Sequence, residues 1–299
     1  MTVKLIGISP CYNELSLGHL DRFLNNIFKV VDGIVLMDDA STDGSYERML
    51  EYTPNVLRND VNRFIYEQDN TQRLINKALE LYPDLTHILT LSIDVTFTPN
   101  CYKDGAAAIH KAVHDYPDVG MWVMHNVHLW RSGYWQRVDK EWRNNECERV
   151  YVRSKGLELA NKDKVGLHLG KVIAKRPWWS VTGLDNEAKT IHWGYRHKEN
   201  ISKKFHHYQA TAPTKICNPA AFRHNDMLRF LNEYDVELEP VSDSWFDSDI
   251  LDRGEEKRKP RPVSFYQDIA KYDLAKANEY KAYFNRRLGF YTEDEMYET

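Results

Sequence analysis

The chain has 299 residues, 42 % of them apolar and 28 % charged, with a formal net charge of -4 and a mean hydropathy of -0.62. That is a globular balance, and it excludes disordered, collagen-like and coiled-coil chains. No apolar run approaches the ~20 residues needed to cross a bilayer, and the opening apolar stretch is too short for a signal peptide. A cytoplasmic protein is expected. Four cysteines (Cys11, Cys101, Cys147 and Cys217) form no C-x-x-C pair, which excludes a zinc ribbon and argues against a disulfide scaffold.

The first 125 residues predict alternating strands and helices. Residues 4–9 are a short apolar strand. Leu17, Leu20, Leu24, Ile27, Phe28 and Val31 then recur at helical spacing, and Gly33 is placed to end that helix. Residues 34–37 are a second strand, 46–52 a helix, 56–58 a third strand, 70–82 a helix, 87–91 a fourth strand and 100–114 a helix. This order implies a largely parallel sheet with helices on both sides, whose ligands sit beyond the carboxyl ends of the strands. Beyond residue 118 the pattern changes to strands over 119–129, 149–153 and 167–174, with short helices over 200–208 and 227–234. The charged, proline-bounded stretch 242–262 reads as an exposed linker before a last amphipathic helix. Between residues 131 and 210 there are 17 Lys and Arg against 9 Asp and Glu, a net +8, so a basic middle could face a phosphate-bearing ligand or a polyanion.

Polar motifs stand at the strand ends. Ser9-Pro10-Cys11-Tyr12-Asn13-Glu14 follows the first strand, and Asp38-Asp39-Ala40-Ser41-Thr42-Asp43-Gly44 the second. Arg73 lies within the third helix, and Ser92-Ile93-Asp94 closes the fourth strand. Together they resemble the family 2 glycosyltransferases of GT-A fold, with their P-x-Y-N-E turn, D-D-x-S-x-D-G turn, arginine helix and D-x-D motif. Downstream, Arg137-Val138-Asp139 with Trp142, Leu167-His168, His192-Trp193-Gly194-Tyr195, and Lys203-Lys204 with Tyr208 look like the pattern of a bacterial and phage subgroup. The final ~80 residues match nothing in that pattern.

The resemblance implies an α/β, Rossmann-like GT-A domain over residues 1–218, divided into a nucleotide-sugar half (1–125) and an acceptor and metal half (126–218). Residues 219–299 would be a C-terminal helical extension. It implies a UDP-sugar donor held by Pro10, Tyr12, Glu14, Asp39, Arg73, Asp94 and Lys204. Physical chemistry supports several of these roles. A carboxylate at Asp39 accepts the N3–H of uracil, a donor that cytosine lacks. Tyr12 can stack on the base, and Arg73 offers planar, charge-assisted bonds to phosphate or base carbonyls. Alternatively, Asp38, Asp39 and Asp43 only cap the helix that follows.

Ser92 replaces the first aspartate of D-x-D, leaving Asp94 and His192 as candidate ligands of Mn²⁺ or Mg²⁺, with imidazole favouring Mn²⁺. An inverting reaction needs a base on the acceptor hydroxyl. Asp139 is the first candidate and His168 the second, with Asp185 and Glu187 behind them. Asp139 could instead pair with Arg137, Lys140 or Arg143 as a surface ion pair. The acceptor would be a glycan, or modified DNA in a phage setting. Competing classes are a non-catalytic sugar-nucleotide-binding relative, motivated by Ser92, and a nucleotidyltransferase. The latter is disfavoured because residues 9–14 lack the glycine-rich turn that cradles a triphosphate, and no G-x-G-x-x-G marks a dehydrogenase.

Overall fold

The structure is a computed structural model. It describes residues 3–103, 111–112, 114–116, 118–139, 142, 146–153, 156–157, 159, 181–183, 188–197, 200, 236–247, 253–255 and 257–260. These fall into two compact units. The first comprises Met1–Val127, Asn144–Trp193 and Ser242–Asp252, and the second His128–Arg143, Gly194–Val241 and Arg253–Thr299. The helices expected over 227–234 and beyond 262, the strand expected over 167–174, and the sites His168 and Lys204 lie outside the described residues, as does most of the helix expected over 200–208.

The first unit is an α/β layer. In chain order it runs β1 (Leu5–Cys11), α1 (His19–Ile27), β2 (Gly33–Asp38), α2 (Ser45–Tyr52), β3 (Val56–Arg58), α3 (Glu67–Leu81), β4 (His87–Thr90) and β5 (Val95–Phe97). Strands β1 to β4 are mutually parallel in the order β3-β2-β1-β4, as the alternating pattern requires. The long strands are apolar on both sides. In β2, Ile34 and Leu36 join the core that contains Leu20, Phe23, Leu24 and Ile27 of α1. Val35 and Met37 point the other way, into the core with Leu74, Ile75 and Ala78 of α3. A strand buried on both faces reads as a continuous apolar run, and helices on opposite faces follow from the two-residue repeat.

The sheet continues past β4 with β6 (Met121–His128), β8 (Glu146–Val152), β9 (Val181–Gly183) and β10 (Thr190–His192), giving nine strands among the described residues. Here the pairing is mixed. β8 runs antiparallel to both β4 and β6, and β10 antiparallel to β5. The parallel half thus carries an antiparallel extension that the alternating pattern did not announce. Among the described residues, no helix is long and apolar enough to cross a membrane. Cys11 and Cys101 are buried free thiols, and burial pushes the Cys101 thiol up to about 12.

The second unit contains β7 (Trp135–Arg137), which pairs antiparallel with β11 (Leu238–Pro240). Residues 242–247, within the stretch read as an exposed linker, pack within the first unit. Asp247 accepts the Tyr102 hydroxyl at 2.9 Å, and Phe246 meets Trp193 edge-on with centroids 6.1 Å apart. Two aromatic side chains in a charged run, Trp245 and Phe246, explain why the segment packs at all.

Candidate functional site

The parallel strands deliver their polar ends to one edge of the sheet. At that edge the turns after β1 and β2 are stapled together. Asp39 N–H donates to the Cys11 carbonyl at 2.8 Å, Asn13 N–H to Ser41 Oγ at 2.9 Å, and Thr42 N–H to Asn13 Oδ1 at 2.8 Å. Leu15 and Ser16 N–H donate to Ser45 Oγ and Asp43 Oδ2. Asn13 and Ala40 both hold positive φ, 53° and 64°, a left-handed conformation that asparagine tolerates but that costs alanine roughly 1–2 kcal/mol. The staples hold that strain at the site.

The aspartates of the second turn divide their work. Asp38 is fully buried, accepts from Ser41 N–H and pairs with Arg58 at 3.3 Å. Burial works against the charge of Asp43, but hydrogen bonds from Ser45 and Ser16 win and hold its carboxyl below the usual range. These two anchor the turn. Asp39 differs. It is buried, and burial raises its carboxyl above the ordinary value despite hydrogen bonds from Asn59 and the Arg63 amide.

The β2–β3 register explains Asn59. Asp38 sits opposite Arg58, and Asn59 N–H donates to the Asp38 carbonyl at 2.9 Å, so the next residue of each strand end meets the other. Asn59 Nδ2 donates to Asp39 Oδ1 at 2.7 Å, and Arg73 Nη1, half-buried on α3, donates to Asn59 Oδ1 at 2.6 Å. Asp39 and Arg73 are therefore brought together through a residue the motifs did not single out. Applying the strand-end rule to β3 would have found it.

Pro10 and Ser92 line a small open pocket of about 60 Å³, together with Thr90 of β4 and Glu67, Thr71 and Leu74 of α3. Tyr12 is half-buried in the β1 turn. Glu14 has its Oε2 2.7 Å from His19 Nδ1, while its carbonyl accepts the first N–H groups of α1.

Asp94 and His192 are 98 positions apart, yet Asp94 Oδ2 and His192 Nε2 stand 3.0 Å apart, both buried. The β5–β10 pairing does this, because His192 is opposite Val95, the residue after Asp94. Trp193 fixes the end of β10: its N–H donates to the Asp94 carbonyl at 2.8 Å and its Nε1 to Thr96 Oγ1 at 2.8 Å. The Arg22 guanidinium lies 4.2 Å from the centroid of its ring. Two cis ligands about 2.1 Å from one octahedral ion stand about 3.0 Å apart. One carboxylate and one imidazole at that spacing fit a divalent cation. Among the described residues no cluster of three or more such ligands occurs, so oxygens of a bound diphosphate would have to complete the shell.

In the second unit, Arg137 forks onto Asp139, Nε to Oδ1 at 2.7 Å and Nη2 to Oδ2 at 3.0 Å. The guanidinium lies 4.6 Å from the ring centroids of both Trp130 and Trp142, and Tyr195 and His128 pack against Trp142. The R-x-D-x-x-W spacing is thus a built object, with the aspartate forked by the arginine and the tryptophan covering the guanidinium. The ion pair anticipated at the surface is buried, with Arg137 and Asp139 4 % and 6 % exposed.

No protein-family model matches the chain, and neither does any curated protein. Solved structures do align. A mannosyltransferase from Pyrobaculum calidifontis, in complex with GDP-Man and Mn²⁺, has a TM-score of 0.39 at 14 % identity over 77 % of this chain and 69 % of its own. TarS 1-349 from S. aureus, with UDP, has a TM-score of 0.40 at 13 % identity over 78 % and 72 %. A cytidylyltransferase from Leptospira borgpetersenii has a TM-score of 0.32 at 11 % identity over 52 % and 61 %. The likeness is slight at these scores. The chemistry of this chain rests on its own residues.

Proposed function

We propose that the chain is a metal-dependent glycosyltransferase that takes a sugar from a UDP-sugar and transfers it, with inversion, to an acceptor hydroxyl. One observation carries the reading: the Asp94–His192 pair, 3.0 Å apart, at the end of β10 and just past β4, on the sheet edge that also bears Asp39 and Arg73. Asp94 and His192 would hold Mn²⁺ or Mg²⁺, and the ion would neutralise charge on the departing diphosphate. Asp39 accepts from the uracil N3–H, Tyr12 stacks on the ring, and Arg73 faces base carbonyl or phosphate. Asp139 serves as base on the residue pattern, with its carboxylate oriented by Arg137. The acceptor is a glycan or a modified DNA base, and the net +8 over residues 131–210 favours an anionic one.

Calorimetric titration with UDP, with and without Mn²⁺, beside hydrolysis of a panel of UDP-sugars, tests this. Saturable UDP binding strengthened by Mn²⁺, with slow hydrolysis of one UDP-sugar, is expected. Failure of UDP to bind with or without Mn²⁺ would remove the reading. Binding without turnover of any sugar would leave a non-catalytic sugar-nucleotide binder.

A further inference from the structure

Asp39 is one end of a hydrogen-bond relay whose direction is fixed. Its Oδ1 receives Asn59 Nδ2–H at 2.7 Å and the Arg63 backbone N–H at 2.9 Å. Asn59 Oδ1 receives Arg73 Nη1–H at 2.6 Å. A guanidinium only donates, so the amide oxygen of Asn59 must face Arg73 and its NH₂ must face Asp39. Asn70 obeys the same logic. Its Nδ2 donates to the Arg63 carbonyl at 3.2 Å, a group that only accepts, which turns its Oδ1 toward Arg73 at 3.5 Å and Asn59 Nδ2 at 3.4 Å. Groups of single polarity therefore set both amides. Oδ1 of Asp39 is committed as an acceptor of two bonds, and Oδ2 is the oxygen outside them.

We propose that Asn59, held by Arg73 and seconded by the Arg63 amide, is a positioning residue that fixes which side-chain atom of residue 39 is left to face a pyrimidine. The inference rests on the reading of Asp39 as the group that meets N3 of the base. With a carboxylate, Oδ2 accepts and matches the N3–H of uracil. Cytosine presents a lone pair at N3, so two acceptors would face each other. The relay also dictates what an asparagine at position 39 must do. Its amide oxygen has to occupy the Oδ1 place between two donors, so its NH₂ is delivered at the Oδ2 place. There it meets the N3 acceptor of cytosine. Without Asn59, the Arg63 N–H is the one donor of the two left to hold the amide, and the preference for this orientation weakens.

The test is calorimetric titration of the full chain with UDP and with CDP, both in Mn²⁺, for wild type, Asp39→Asn, Asn59→Ala and the double variant. Wild type is expected to favour UDP by about tenfold or more, the scale of 1.4 kcal/mol. Asp39→Asn should bind CDP at least about tenfold more tightly than wild type does, a gain that structural damage cannot produce. Asn59→Ala alone should keep the UDP preference, because a carboxylate accepts through either oxygen. In the double variant the CDP gain should fall, because the Arg63 N–H alone then orders the amide. Loss of UDP binding in Asp39→Asn with no gain for CDP overturns the relay, as does a CDP gain undiminished in the double variant. If wild type binds neither nucleotide, or both equally, the base-recognition reading itself falls and takes the relay with it. Should the Asn59 variants fail to fold by circular dichroism, the CDP arm of the isosteric Asp39→Asn variant decides alone.

Discussion

Removing His192 should separate metal binding from folding in a single thermal experiment. The proposed metal site has two protein ligands, Asp94 and His192, both more than nine-tenths buried and 3.0 Å apart. With only one other protein ligand to share the load, His192→Ala should weaken Mn²⁺ binding about 10- to 100-fold. At Mn²⁺ 100 times the wild-type Kd, with UDP held constant, bound metal stabilises the native state by about 2.7 kcal/mol. The variant at the same Mn²⁺ sits at about 1 to 10 times its own Kd and keeps about 0.4–1.4 kcal/mol of that. At about 2–4 °C per kcal/mol, the wild-type Mn²⁺ shift is about 5–11 °C and the variant's about 1–6 °C. Each protein is measured against its own metal-free melting point, because losing the imidazole beside a buried carboxylate lowers the baseline as well. An Mn²⁺-dependent shift in His192→Ala equal to wild type would refute the two-ligand site.

Two further outcomes are expected. Asp43 has its carboxyl held low, so its contribution is complete above the ordinary carboxylate value of about 3.9 and is lost as pH falls through the lower folded value; Asp43→Ala should cost about 1–2 kcal/mol in urea denaturation at pH 7 and much less in acid, where wild type has lost the same bonds. Asp139→Asn should leave UDP affinity unchanged and reduce sugar transfer by about 100-fold or more, and wild-type transfer in this variant would move the base elsewhere, to His168 first.

The parallel half of the fold was legible because β1, β2 and β4 are apolar runs separated by helices with a repeating apolar stripe, and each end carries a polar motif. The antiparallel extension was not. β5 and β10 are three residues each, too short to show a period, and their pairing is what brings Asp94 to His192. Sequence likeness named both residues, but only the register explains why they meet. Asn59 carries no comparable signal because β3 is also three residues long and half exposed, so its polar end does not stand out from the chain around it. Glu14 illustrates the converse. It belongs to a motif expected at the donor, yet the start of α1 and His19 lie beside it and take up its polar groups. Nothing in a linear string distinguishes a carboxylate that faces a ligand from one that meets a neighbouring imidazole.

The path of the chain through the two units has a consequence for ancestry and engineering. The chain passes between the units five times, and the short return over Ser242–Asp252 supplies the Phe246 ring beside Trp193, next to His192. Units threaded this way cannot be exchanged as cassettes by one recombination event, because each is assembled from three separate stretches of the chain. Truncation just before residue 242 would leave the β10 terminus without that aromatic contact, although every residue of the strand-end motifs would still be present. Diversification of such a protein is therefore expected to proceed by substitution within loops rather than by shuffling of whole modules.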